Sequence, residues 1–83
     1  MAYDTWLPLA EDGVRRAQFY VGGLFLDGRG IEANVVKAHY WLSLSDQAGY
    51  PLSRPLLTKI EAEMSAEERA AAQSLLANSL TAN

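Results

Sequence analysis

The 83-residue chain contains no cysteine and only one histidine, His39. The absence of cysteine excludes disulfide bridges, thiolate nucleophiles and thiolate zinc sites, and it leaves the redox compartment open. A single histidine offers too few nitrogen ligands for a zinc or iron centre. We therefore expect no metal and no other cofactor.

Positive charge is also scarce, with seven Lys and Arg against ten Asp and Glu and a net charge of −3. This balance argues against nucleic acid as a partner, because a nucleic-acid surface is basic. Four of the cations fall between Arg15 and Trp41 beside two acids, whereas the flanks hold three cations and eight acids. The asymmetry could orient a partner or a second copy, although such small numbers favour chance.

Long apolar runs are missing too, so we expect no membrane insertion. The first residues lack a basic segment and do not resemble a signal peptide. The location is therefore open: cytoplasmic, or exported if a signal peptide was removed. A hydrophobic fraction of 49% nevertheless indicates a folded chain, and its length corresponds to one small domain with a thin core.

Apolar residues recur at helical spacing and predict five helices joined by short Gly and Pro turns, with no sheet. The expected ranges are about 2–11, 14–27, 35–48, 53–64 and 66 to 78 or 80. Asn34 is a candidate N-cap, and Ser65 with Glu68 forms a capping box. The predicted inward positions include Val14, Ala17, Val21, Leu24 and Phe25 in the second helix and Ala72, Leu75, Leu76 and Leu80 in the last.

Two phrases that each begin with tryptophan lie 35 residues apart: Trp6-Leu7-Pro8-Leu9 and Trp41-Leu42-Ser43-Leu44. A self-similar period of this length is typical of stacked helical repeats. Residues from the first phrase to the end of the second fit a fuller pattern, in which most positions are small residues, aromatic residues or glycines. These are Trp6, Gly13, Ala17, Val21, Gly22, Phe25, Gly28, Gly30, Lys37, Ala38, Trp41 and Gly49.

This pattern resembles the Sel-one-like repeat, an α/α repeat similar to the tetratricopeptide repeat. The resemblance implies an all-α, right-handed solenoid fragment in three parts: a second-helix remnant at 1–13, one complete repeat at 14–49, and a degenerate helix pair at 50–83. It further implies that Gly22 allows close helix approach and that the Trp41 ring fills the space between helices. Ser45 and Asp46 depart from the family, which has two alanines there.

Catalytic patterns are weak. Ser43 lies one turn after His39, but His39 falls off the apolar face of its helix and is expected to face solvent. The Asp27–Gly30 segment lacks the lysine of a nucleotide-binding loop and the further acids of a calcium loop. It is therefore interpreted as a turn between helices, and an enzyme is not expected.

The resemblance implies a scaffold or adaptor that binds an unidentified protein partner. First helices line the concave side of tetratricopeptide-like solenoids, which makes the outer stripe of the second predicted helix the candidate surface: Arg15, Phe19, Tyr20, Gly23 and Leu26. The alternative for Phe19 and Tyr20 is packing on the neighbouring repeat. A second hypothesis is a homo-oligomer or helix exchange through exposed repeat ends, because the missing leading helix should uncover Trp6 and Leu9. Many relatives of this type are bacterial and exported in longer arrays.

Overall fold

The structure, a computed structural model, describes residues 2–81, and that range contains five helices and no strand. The helices are α1 (Ala2–Glu11), α2 (Arg15–Asp27), α3 (Val35–Gln47), α4 (Ser53–Glu63) and α5 (Ala66–Thr81). The all-α prediction is confirmed. The observed bounds follow the predicted ones closely, because helix ends in this chain are marked by strong local signals.

Glycines and capping side chains set the ends of the helices. Gly13 and Gly28 close α1 and α2 with φ of +93° and +71°, a left-handed conformation that favours glycine. Asn34 Oδ1 accepts a hydrogen bond from the Lys37 amide at 3.0 Å and begins α3. Ser65 and Glu68 bond to each other's backbone amides at 3.0 and 2.9 Å, as a capping box predicts.

Helix α3 lies at the centre, where it packs against α2, α4 and α5, while α1 packs on α2. Helices packed on one another in this way form an all-α repeat fragment. Buried residues form two clusters. The first joins α1, α2 and α3 through Ala10, Ala17, Val21, Phe25 and Ala38, and the second joins α3, α4 and α5 through Leu42, Leu57, Ile60, Met64 and Ala72.

Two predicted inward positions are more exposed than expected. Val14 is 41% exposed, because it precedes α2 in an extended conformation and does not share the helical face. Leu75 is 37% exposed, although Ala72 in the same helix is fully buried. The side chain of Leu80 lies outside the described residues.

The two adjacent glycines of α2 have different surroundings. A Cβ added at Gly22 would lie 2.7 Å from Leu42 Cγ and 3.2 Å from the carbonyl oxygen of Ala38. Gly22 is therefore a point of close approach between α2 and α3. A Cβ at Gly23 would meet nothing within 4 Å.

The polar residues at positions 45 and 46 have partners. Ser45 is fully buried, and its hydroxyl donates to the carbonyl oxygen of Arg15 at 2.8 Å and accepts from the Ser53 hydroxyl at 2.8 Å. Asp46 pairs with Arg54 at 2.9 Å. These two polar residues thus connect α3 to α2 and α4 through satisfied hydrogen bonds.

Trp41 is only half-buried, whereas Leu42 beside it is fully buried. The Trp41 ring packs edge-on against Tyr40 at a centroid distance of 5.2 Å and touches the first core cluster. The expectation that this ring fills the interior between helices is therefore only partly met. Leu42, which contacts Gly22, occupies the more central position.

We expect Gly22→Ala to destabilise the protein by about 1–3 kcal/mol, because the new methyl overlaps Leu42. The matched change Gly23→Ala should stabilise it by up to about 1 kcal/mol, because alanine favours the helix and its methyl meets open space. Urea unfolding of both variants measures the difference. Equal effects at the two positions would contradict the close approach assigned to Gly22.

Leu42→Ala should cost about 2–5 kcal/mol, since the side chain is fully buried. Trp41→Ala should cost less than Leu42→Ala despite its larger ring, because part of that ring already faces solvent. Thermal or urea unfolding of the two variants gives the order. A larger loss from Trp41→Ala would show that the indole ring carries more of the core than its exposure indicates.

Candidate functional site

Four aromatic rings form a continuous row, here called the aromatic strip. The centroid distances are 4.8 Å from Trp6 to Tyr20, 6.0 Å from Tyr20 to Phe19, and 5.1 Å from Phe19 to Tyr50. The strip crosses from α1 over α2 to the loop before α4. Its rings are tilted against one another by 44° to 60°, within the range of favourable aromatic pairs.

The strip contains the two predicted aromatic residues of α2. Tyr20 is 37% exposed, and Phe19 is half-buried against the second core cluster. Each ring packs on a neighbouring element, as the packing alternative predicted, and remains partly exposed; partner binding stays a prediction. Leu26 differs from them because it packs against both core clusters.

Gly23 lies one helical turn after Phe19 and Tyr20 on α2, so all three share one side of the helix. Apart from its chain neighbours and the adjoining backbone of α2, no atom lies within 4 Å of the place where its Cβ would be. The missing side chain leaves open space beside the two rings. Of the five predicted partner-binding residues, Phe19, Tyr20 and Gly23 thus occupy one part of the surface.

Two arginines lie at the beginning of α2, beside the strip. Arg16 lies over the Tyr20 ring, 5.6 Å from its centroid, and donates to the Tyr20 hydroxyl at 3.5 Å. This hydrogen bond raises the pKa of the exposed Arg16 guanidinium above its ordinary value. Arg15 donates to the carbonyl oxygen of Ala48 at 3.2 Å, which links it to the end of α3.

Neither arginine forms an ion pair with a carboxylate of residues 2–81. By contrast, Arg29 pairs with Asp27 and Arg54 pairs with Asp46. The first turn of α2 also contains no acidic residue. The first turn of α2 therefore carries two cations and no acid, although Glu11 and Asp12 precede it and the chain as a whole is negative.

Sequence reasoning did not include Trp6, Tyr50 or Arg16 in the site. Trp6 was assigned to the repeat framework, and Tyr50 falls between the predicted helices at 35–48 and 53–64. Nothing in the sequence near either residue predicts a contact with α2, because the strip forms only when α1 and the loop before α4 pack on that helix. The one available hint was that Arg16 lies four residues before Tyr20, a spacing that places both on one helix face.

A cleft of about 690 Å³ lies between α1, α2, α3 and α5. Its lining residues are Tyr3, Leu7, Glu11, Phe25, Lys37, Tyr40, Trp41, Leu75, Asn78 and Ser79. The Lys37 ammonium lies 5.6 Å from the centroid of the Phe25 ring. Because Glu11 and Lys37 bring opposite charges to this cleft, its electrostatics favour no particular occupant.

His39 is 6% exposed, so the expectation that it faces solvent is wrong. Its Nε2 lies 2.7 Å from Glu61 Oε2 on α4, and its Nδ1 lies 3.3 Å from the Ser43 hydroxyl. A carboxylate can only accept a hydrogen bond, so we assign the ring proton to Nε2. Nδ1 is then an acceptor, and the Ser43 hydroxyl donates to it. The error arose because the apolar stripe of α3 shows one buried face, whereas α3 is covered on several sides.

The order of Ser43, His39 and Glu61 resembles that of a nucleophile, a base and an acid. Ser43 is 7% exposed, however, and a nucleophile must reach its substrate. The three side chains lie at a smaller cleft of about 340 Å³ and connect α3 to α4. We interpret them as a structural hydrogen-bond chain between these helices, buried at Ser43 and His39 and exposed at Glu61.

Metal and membrane sites find no support in the part of the chain that the structure describes. No group of three or more histidine, aspartate or glutamate side chains converges there. None of the five helices has the length and apolar character needed to cross a membrane.

The geometry and fold define an all-α helical-repeat fragment with an aromatic strip. Over 75 residues, or 90% of its length, the chain is 32% identical to the alginate biosynthesis protein AlgK of Azotobacter vinelandii. It spans only 16% of the length of that relative. No family model matches the chain, and no solved structure matches it significantly.

Glu61→Ala should destabilise the protein by about 1–3 kcal/mol, because it leaves the buried His39 ring nitrogen without its partner. Glu63→Ala removes an equally charged but exposed residue two positions on and serves as the control. Its effect should stay within about 0.5 kcal/mol. Urea unfolding at neutral pH compares them, and equal stabilities would remove the structural role from the His39–Glu61 contact.

Proposed function

We propose that this chain is a non-catalytic protein–protein interaction module, a scaffold or adaptor of the Sel-one-like repeat type. Its contact surface is the aromatic strip together with Arg15, Arg16 and Gly23. The observation that carries the proposal is the continuous row of four partly exposed rings across three elements of the fold.

Aromatic and arginine side chains are enriched at the centres of protein interfaces, where they supply large contact areas. In this chain the rings already contact one another, and Phe19 is anchored on the core. Their rotamers are therefore restricted before a partner arrives, which lowers the entropy lost on binding. A prearranged surface of this kind favours recognition of a protein over chemistry on a small substrate.

The similarity to AlgK supports the proposal at the level of architecture. The matched region is 16% of AlgK, so a unit of this type there is one part of a much longer chain. Repeats in such chains present extended surfaces and act by contact. The name of AlgK assigns that protein to alginate biosynthesis.

A second candidate function is self-association, which the exposure of large apolar side chains favours. Leu9 and Val14 are 40% and 41% exposed where α1 leads into α2, and Leu75 on α5 is 37% exposed. In a longer array these residues would be covered by further helices. A second copy could cover them instead.

A photoreactive amino acid at position 27 tests the proposal, because this exposed site lies one turn after Gly23 on α2 and leaves the space beside the rings unfilled. It should give a crosslinked adduct with another protein in cells, and Tyr20→Ala should abolish the adduct while the chain stays helical by circular dichroism. The same amino acid at position 71, an exposed site on α5, is the control. An adduct of twice the 9.1 kDa chain mass would favour self-association, and no adduct specific to position 27 would contradict the interaction surface.

A further inference from the structure

We propose that the aromatic strip binds an acidic peptide segment, in which carboxylate side chains lie beside ring or aliphatic ones. This inference rests on the proposed interaction function and specifies the chemistry of the partner. It is carried by the juxtaposition of the strip with Arg15 and Arg16, two cations that pair with no carboxylate of residues 2–81.

Arg15 and Arg16 carry the positive charge of this surface. Arg29 and Arg54 are each neutralised by an acid of this chain, at 3.6 and 2.9 Å. Arg15 and Arg16 have only a carbonyl oxygen and a phenol as hydrogen-bond partners. Their charge is therefore available to an outside anion.

The guanidinium of Arg16 is placed to bind a carboxylate. The Tyr20 ring lies beneath it at 5.6 Å, which fixes the group without neutralising it. Its remaining N–H donors stay open to solvent, and a guanidinium binds a carboxylate through two parallel hydrogen bonds. A lysine would offer a point charge without this planar geometry.

Open space lies at Gly23, next to Phe19 and Tyr20 on the same side of α2. Apart from the adjoining backbone, no atom lies within 4 Å of the position that a Cβ would take. An apolar side chain of a peptide can enter it and contact both rings, while a neighbouring carboxylate meets Arg16. An acidic peptide with apolar residues uses all three features together.

The distribution of charge separates this partner from two others. The net charge of −3 disfavours nucleic acid, because its continuous phosphate backbone extends beyond the strip and meets the acidic remainder of the surface, whereas a short peptide contacts the strip alone. A cationic peptide would be attracted to the acidic flanks but repelled at the strip. A second copy of this chain is also acidic, and the experiment distinguishes it.

The experiment uses two fluorescent peptides of about ten residues. They share the same tyrosine, proline and leucine positions, and one carries aspartates where the other carries lysines. The aspartate peptide should bind at least tenfold more tightly by fluorescence anisotropy, and raising the salt from about 0.05 to about 0.5 M should weaken it severalfold.

Three variants locate the binding site. Arg16→Glu should lower the affinity for the aspartate peptide at least tenfold, whereas Arg69→Glu, the same change at an exposed, unpaired arginine on α5, should leave it within twofold. Gly23→Gln should weaken binding at least fivefold by filling the open space. It should also preserve or raise the melting temperature, because glutamine favours the helix over glycine.

Failure of this inference can be told from failure of the interaction function. Equal affinity for the two peptides, or equal loss from Arg16→Glu and Arg69→Glu, would overturn the acidic specificity even if the crosslink at position 27 persists. Absence of binding by either peptide would overturn it in the same way. Concentration-dependent dimers by light scattering that Arg16→Glu disrupts would identify a second copy as the occupant and would also overturn it.

Discussion

The close approach of α2 to α3 at Gly22 is the constraint on which the rest of the structure depends. Without a Cβ at this position, Leu42 reaches the surface of α2 and is fully buried there. Leu42 belongs to the second core cluster, with Leu57 and Ile60 of α4. The contact between Gly22 and Leu42 therefore couples α1 and α2 to the helices that follow. A chain of this size has few other residues that can do so.

This contact also fixes the rotation of α2 and so determines which residues form the surface. With Gly22, Val21 and Phe25 turned inward, the consecutive residues Phe19 and Tyr20 point in different directions along the outer side. Tyr20 reaches back to Trp6 on α1, and Phe19 reaches forward to Tyr50. The strip is thus a consequence of core packing, and the hydrogen bond from Ser45 to the carbonyl oxygen of Arg15 holds the beginning of α2 in the same register.

Features that depend on local chemistry could be predicted from the sequence. The Asn34 cap, the Ser65–Glu68 capping box and the glycine turns each depend on residues within one or two helical turns. Features that depend on where helices cross could not. Periodicity placed His39 at the surface, but α4 brings Glu61 to it, and nothing near His39 in the sequence indicates that contact.

The same distinction applies to the candidate site. Phe19, Tyr20 and Gly23 were predictable because they share one stripe of one helix. Trp6 and Tyr50 join them only through the tertiary fold. The resemblance implied that the Trp41 ring fills the space between helices, whereas the space beside Gly22 accommodates the Leu42 side chain and the larger ring lies at the edge of a cleft.

Gly23 provides the strongest argument that the outer side of α2 does more than cover the core. A glycine within a helix costs about 1 kcal/mol relative to alanine, which is a substantial fraction of the stability of a small domain. Packing explains Gly22, because a side chain there would collide with Leu42. Packing within residues 2–81 gives no such reason for Gly23, whose Cβ would meet open space. Its cost has an explanation if the space belongs to a partner, and the two rings and the unpaired Arg16 beside it indicate what that partner brings.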